Sequence, residues 1–234
     1  MARTSDSLLE ALQRIIEKTY DLETGVRDIG RFVIGDEGYR AIYGRLDAAG
    51  VILDKVGAGT AGAGAKTLLR RDGRDLAVSI YYPDSLVRCL ERNDPTRRLD
   101  ESNVDAFNQL VEELDHFLVI AERFLCGAAM SLLDLELHAN VTKYLMLKMF
   151  LGKMCRATRL PAGDTAWIHF QVFGKGEFAD PDPEVRSRYQ QARRLGARYV
   201  RAIDALRPAE RIAELRRFHR LAPRAKIAHM NGAD

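Results

Sequence analysis

The 234-residue chain has only three cysteines, Cys89, Cys126 and Cys155, far apart in the sequence and with no Cys-x-x-Cys pair. A disulfide scaffold and a cysteine-based zinc site are thereby excluded, and the thiols read as reduced, mostly buried groups of an intracellular, cytoplasmic protein. Uninterrupted apolar runs are also lacking. The most apolar stretch, residues 128–154, carries Asp134, Glu136, His138, Lys143 and Lys148, charges too costly for a bilayer-spanning helix, so no membrane association is expected. The opening residues 1–6 are polar and do not read as a secretory signal. No internal repeat is visible.

What the chain does have is enough apolar residue, 47%, to build a core, with an ordinary 29% of charged residues. The net charge of +3 conceals an asymmetry. Residues 184–226 hold 13 Lys/Arg against 4 Asp/Glu, a balance of +9, while residues 1–183 stand at −5. The body is acidic and the end basic.

Residues 104–154 read as two long helices joined at Gly127. In the first, Val104, Phe107, Val111, Leu114, Leu118, Ala121 and Leu125 recur at steps of three and four, which keeps them on one side of a helix. Ser102 followed by Asp105 resembles a capping box, and Gly127 suits a left-handed terminating residue. The second helix is apolar nearly all round, so it is expected at the centre of the core.

This pair carries the acid/histidine residues of interest: Glu113 and His116 on the first helix, Asp134, Glu136 and His138 on the second. Glu-x-x-His places both side chains on one face, one turn apart, an element that di-iron helical bundles use twice. The second copy is missing here. Glu113, His116, Glu136 and His138 are the candidate ligands of a divalent metal. His116 and His138 each lie 11 residues from Gly127, so an antiparallel pair sets them at one height. The competing reading pairs His116 with Glu112 or Glu113, and His138 with Asp134, as ordinary structural contacts.

Elsewhere, Ser7 and Glu10 form a capping box for a first helix over residues 7–20, and Asp36 caps a second over residues 37–49. Residues 51–56 read as a short strand. The glycine string of residues 57–67 nearly matches two phosphate motifs. It lacks the following helix that a dinucleotide fingerprint needs, and Ala65 separates Gly64 from Lys66 where a phosphate loop needs them adjacent. It reads as a linker. Asp72-Gly73, flanked by residues 66–71 and 74–82, is a hairpin signal. The helix–helix–hairpin order resembles a winged helix in element order alone, since residues 37–49 offer only Arg40 and Arg45 as cations. Short helices follow at residues 86–92 and after Asp164. Residues 184–206 form a long helix whose polar face bears Arg186, Arg193, Arg194, Arg198 and Arg201. Pro208 opens another helix to residue 221, and residues 222–234 read as a loose basic tail.

The expected fold is α+β, mainly α: a helical bundle built on the central pair, with one β-hairpin in the N-terminal half. The expected division is residues 1–100, holding the hairpin, and residues 101–234, the bundle, with one continuous domain as the alternative. Of two functions the first is preferred, because no catalytic constellation is complete and each phosphate motif fails on context. One is a non-catalytic binding or assembly protein that holds a protein partner or a second copy through helical faces, or nucleic acid through the Arg face. The other is a helical metalloenzyme using the carboxylate/histidine residues.

Overall fold

The computed structural model describes residues 7–42, 55–56, 64–72, 75–175 and 182–232. The chain is mainly α with a small sheet. The helices are α1 (Leu8–Tyr20), α2 (Asp36–Ile42), α3 (Asp84–Arg92), α4 (Val104–Leu125), α5 (Leu132–Met154), α6 (Ala162–His169), α7 (Pro183–Asp204), α8 (Pro208–Arg220) and α9 (Pro223–Asn231). The strands are β1 (Val33–Ile34), β2 (Lys55–Val56), β3 (Lys66–Asp72) and β4 (Asp75–Tyr81), in the order β1-β4-β3-β2.

The hairpin pairs β3 with β4 antiparallel, Asp72 opposite Asp75, so the connection falls at residues 73 and 74, one later than Asp72-Gly73 implies. Those two residues lie outside the described ones, as do residues 57–63 of the glycine string and residues 43–49, over which the second helix is expected to extend. β1 adds to β4 in parallel, a pairing with no sequence signal because only two residues take part. Lys66 and Thr67, the end of the glycine string, begin β3 rather than a helix. Tyr82 ties the sheet to α4 by donating its hydroxyl to the Leu110 carbonyl at 2.8 Å.

α4 and α5 are the two long central helices. α4 ends as expected at Gly127, with φ of 61°. The Ala128 amide donates to the Arg123 carbonyl and the Gly127 amide to the Phe124 carbonyl, the paired bonds that close a helix around a left-handed residue. The start of α4 differs from expectation. Asn103, not Ser102, is the capping position, and Ser102 instead bonds Asp100, because the loop ahead of the helix offers a nearer acceptor. α5 starts at Leu132, where Ser131 accepts from the Asp134 amide at 3.2 Å.

The two helices run antiparallel. Glu112 lies beside Lys143, Asp115 beside His138 and His116 beside Glu136. α7 runs parallel to α5: Tyr189 meets Glu136 near the start of both, and Asp204 at the end of α7 meets Tyr144 in the middle of α5. Between these points Gly196 permits close approach, since an added Cβ would come within 3.0 Å of the Phe173 ring and 3.5 Å of the Asn140 side chain. The main apolar cluster among the described residues runs from Leu12 and Ile16 of α1, through Ile80 and Tyr82, to Leu147, Phe218 and Met230, with smaller clusters at Val119, Ile120 and Leu135 and at Leu68 and Tyr81.

The C-terminal residues are not a loose tail. Pro223 starts α9, whose missing amide costs nothing at a first helical position. α9 buries Lys226 and Met230, and Lys226 is held by the Asp134 carboxylate of α5. The thiols also differ from expectation. Cys126 and Cys155 are exposed because each occupies a helix C-terminal cap rather than a core-facing turn. Among the described residues, no helix is long and apolar enough to cross a membrane.

Candidate metal centre

Of the four residues read from the sequence as ligands, the structure brings two together. His116 Nε2 and Glu136 Oε2 lie 3.9 Å apart across the α4–α5 interface. The third member is Glu112, one turn before His116. One ligand atom from each of Glu112, His116 and Glu136 lies within 4.8 Å of the others. A bond of about 2.1 Å to a central ion sets ligand atoms at most about 4.2 Å apart, so a small inward movement of one carboxylate completes the set.

His116 is fully buried, and neither ring nitrogen has a hydrogen-bond partner. A buried imidazole without a partner carries the desolvation cost of its polar atoms uncompensated, on the order of 1–3 kcal/mol. Burial also pushes it below the ordinary histidine range, so it stands neutral with a free lone pair. A structural histidine would be expected to use those atoms; a metal ligand needs one of them vacant.

The carboxylates are held in place by different means. Glu136 Oε1 accepts from the Tyr189 hydroxyl at 2.6 Å. Glu112 Oε2 accepts from Lys143 Nζ at 2.6 Å. Burial, the largest single influence, would raise the Glu112 carboxyl, but the Lys143 charge, the His116 ring and the Lys143 hydrogen bond together outweigh it and keep the group below its ordinary range. Glu136, more deeply buried and facing the charged Glu112, is pushed up to about 8. Two carboxylates with one fixed ammonium between them therefore retain a proton that a divalent cation would displace. The site reaches solvent at the Glu112–Lys143 edge, where the two side chains are 18% and 11% exposed, against 3% for Glu136 and 0% for His116.

Glu113 and His138 are directed elsewhere. Glu113 faces β3, where the Thr67 hydroxyl donates to its Oε2 at 2.8 Å, and burial followed by the Glu112 charge holds it well above the carboxylate range. His138 belongs to a second buried array. Its Nδ1 lies 2.9 Å from Asp115 Oδ2, and its Nε2 lies 3.2 Å from Nδ1 of His219 on α8. His219 Nε2 continues to Glu122 Oε2 at 2.7 Å. Asp115 also accepts from the Thr142 hydroxyl at 2.7 Å, and Thr142 meets the Tyr20 hydroxyl at 2.9 Å.

This line has a fixed proton requirement. Three contacts among Asp115, His138, His219 and Glu122 need one proton each, and two neutral imidazoles bring two. The Asp115 carboxyl is the group placed to hold the third. Burial, opposed by the Thr142 hydrogen bond, raises the Asp115 carboxyl to about 6. Burial and the neighbouring His219 keep His138 well below the histidine range. All four positions are committed to one another, so this array holds α8 against the central pair.

In the sequence Glu112 reads only as a structural partner of His116, although its i,i+4 spacing with His116 marks one helix face. Tyr189, His219 and Lys226 carry no such signal, since they read as members of an apolar stripe, a helix and a basic tail. The Arg-face residues are dispersed. Arg193 donates to the Lys175 carbonyl and Arg198 to the Asn231 carbonyl at 2.8 Å, while Arg186 is half-buried and Arg194 and Arg201 are exposed.

No protein-family model matches the chain. No curated protein and no solved structure matches it either.

Proposed function

We propose that the protein is a helical metalloprotein that binds one divalent first-row transition-metal ion through Glu112, His116 and Glu136. The observation that carries this reading is the fully buried His116, both of whose ring nitrogens lack a partner while two carboxylates lie within reach. One imidazole and two carboxylates suit zinc, manganese, iron or cobalt rather than a soft-metal site. Three protein ligands leave coordination positions open to water or substrate, as catalytic rather than structural sites do. An ion held there would act as a Lewis acid and lower the pKa of bound water. Tyr189 orients Glu136, Lys143 orients Glu112 and helps keep it ionised, and the site opens to solvent at the Glu112–Lys143 edge.

The test is elemental analysis of protein purified without a polyhistidine tag, with calorimetric titration of the chelator-treated chain by zinc and manganese. One ion per chain is expected, and His116→Leu should abolish it. A folded chain that takes up neither ion would overturn the reading.

A second reading, a non-catalytic protein that holds an acidic partner, draws on the +9 balance of residues 184–226 and on exposed Arg194 and Arg201. The metal reading is preferred because an exposed arginine is solvated at little cost, whereas the orphaned His116 is not.

A further inference from the structure

A cleft of about 1100 Å³ lies between the C-terminal half of α5, the helix α6 and the corner joining α7 to α8. Glu136 and Lys148 are 12 residues apart on α5, so at about 1.5 Å per residue the cleft is roughly 18 Å from the proposed metal ligands. Its charge is one-sided. Lys148, Arg159, Arg201 and Arg211 line it, against the single carboxylate of Asp204.

That carboxylate is already engaged. Asp204 Oδ1 takes Lys148 Nζ at 2.5 Å and Oδ2 takes the Tyr144 hydroxyl at 2.5 Å. Arg211 is fixed by the carbonyls that end α7, with Ile203 at 3.0 Å, Asp204 at 3.3 Å and Leu206 at 3.0 Å. These are dipoles and not charges, so Arg211 remains a positioned, uncompensated cation. Arg159 and Arg201 are exposed and have no carboxylate partner among the described residues. His169 completes the wall. Its ring borders the cleft beside the Ala197 carbonyl, while its Nε2 is buried and turned away from the open space. The first turn of α6 borders the same space at Ala162 and Thr165, and Asp164 of that turn does not line it.

We propose that this cleft binds a small anion carrying phosphoryl groups. Two guanidinium forks and a third fixed guanidinium match the several oxygens of a phosphate better than the two of a carboxylate. The N-terminal end of α6 adds positive potential in the same place. The volume exceeds what one phosphate fills and stands slightly above the upper end of the usual range for ligand sites, about 1,000 Å³. The cations converge on a concavity and do not form a stripe, which favours a small molecule over nucleic acid.

The test uses the full chain with EDTA present, so that it does not depend on the metal centre. Inorganic phosphate, pyrophosphate, ADP and adenosine are titrated by calorimetry. Pyrophosphate and ADP should bind and adenosine should not. Arg159→Ala and Arg201→Ala should each weaken binding about tenfold, equivalent to about 1.4 kcal/mol, with the unliganded unfolding temperature unchanged because both side chains are exposed. Tighter binding of ADP than of pyrophosphate would identify an organic phosphate; the reverse order, a free inorganic one. Absence of binding by all three phosphates, or binding that both arginine variants retain in full, would overturn the proposal. So would binding of an oligonucleotide where the small phosphates fail.

Discussion

His138 turns its Nδ1 onto the Asp115 carboxylate, 2.9 Å away, while His116 on the facing helix bonds nothing. Two fully buried imidazoles at neighbouring levels of one helix pair thus stand in opposite situations, and substitution should separate them. In chelator-treated protein, His138→Leu removes one partner of a buried pair and should cost about 3 kcal/mol. His116→Leu removes two unsatisfied polar atoms and should change stability by less than about 1 kcal/mol, in either direction. Urea unfolding of both variants measures the contrast. Equal, large losses would mean that His116 has structural partners after all.

Without metal, stability should fall as pH rises from roughly 6.5 to 8. Glu136 stands at about 8 in the folded chain, whereas an unfolded glutamate titrates near about 4.3. Over that window the folded chain holds a proton that the unfolded chain has released, so raising the pH favours unfolding. The buried histidines His116 and His138, both pushed below their ordinary range, contribute the opposite slope, but only below roughly 6.5 where unfolded histidine protonates. Glu113 is raised too and adds to the Glu136 slope. Denaturant midpoints at several pH values should show the decline. Glu136→Gln should reduce it, and a bound ion should reverse it by replacing the proton. A rising midpoint in metal-free protein would contradict the proton assignment.

Removing the Tyr189 hydroxyl should weaken metal binding more than it weakens the fold. That hydroxyl donates to Glu136 Oε1 at 2.6 Å and fixes the carboxylate that faces His116. Loss of such a supporting bond typically costs at least about tenfold in metal affinity, while one hydrogen bond is worth about 1 kcal/mol to stability. Calorimetric titration of Tyr189→Phe with zinc checks this. An unchanged affinity would place the ion elsewhere.

The docking of α9 rests on Lys226 and Asp134, both buried and paired. Lys226→Met leaves the Asp134 carboxylate buried and alone, and should cost about 3 kcal/mol or more. Adding Asp134→Leu should recover most of that loss, because an apolar pair of similar volume replaces the ion pair. A double-mutant cycle by thermal or urea unfolding gives the coupling directly. Additive losses would show that α9 is held mainly by its apolar contacts.

Helix periodicity, the Ser7 capping box and the Gly127 terminus were legible because each depends on residues within one or two turns. From Gly127 alone followed the antiparallel pair and its approximate register, and the observed neighbours Glu112–Lys143, Asp115–His138 and His116–Glu136 keep to it. Height along a helix hairpin follows from counting residues from the turn. What counting leaves open is rotation about each axis, and that decided that His138 would face Asp115 and that Glu112, not Glu113, would join His116. Apolar residues nearly surround α5, so no single stripe specified which side meets α4. The remaining partners come from far along the chain: Tyr189 closes on Glu136, His219 on His138 and Lys226 on Asp134. Local sequence determined the elements and their ends, because caps and periodicity are short-range. Tertiary packing decided the site, because an unpaired buried polar group is costly and its partner is whichever side chain the packed helices bring within reach.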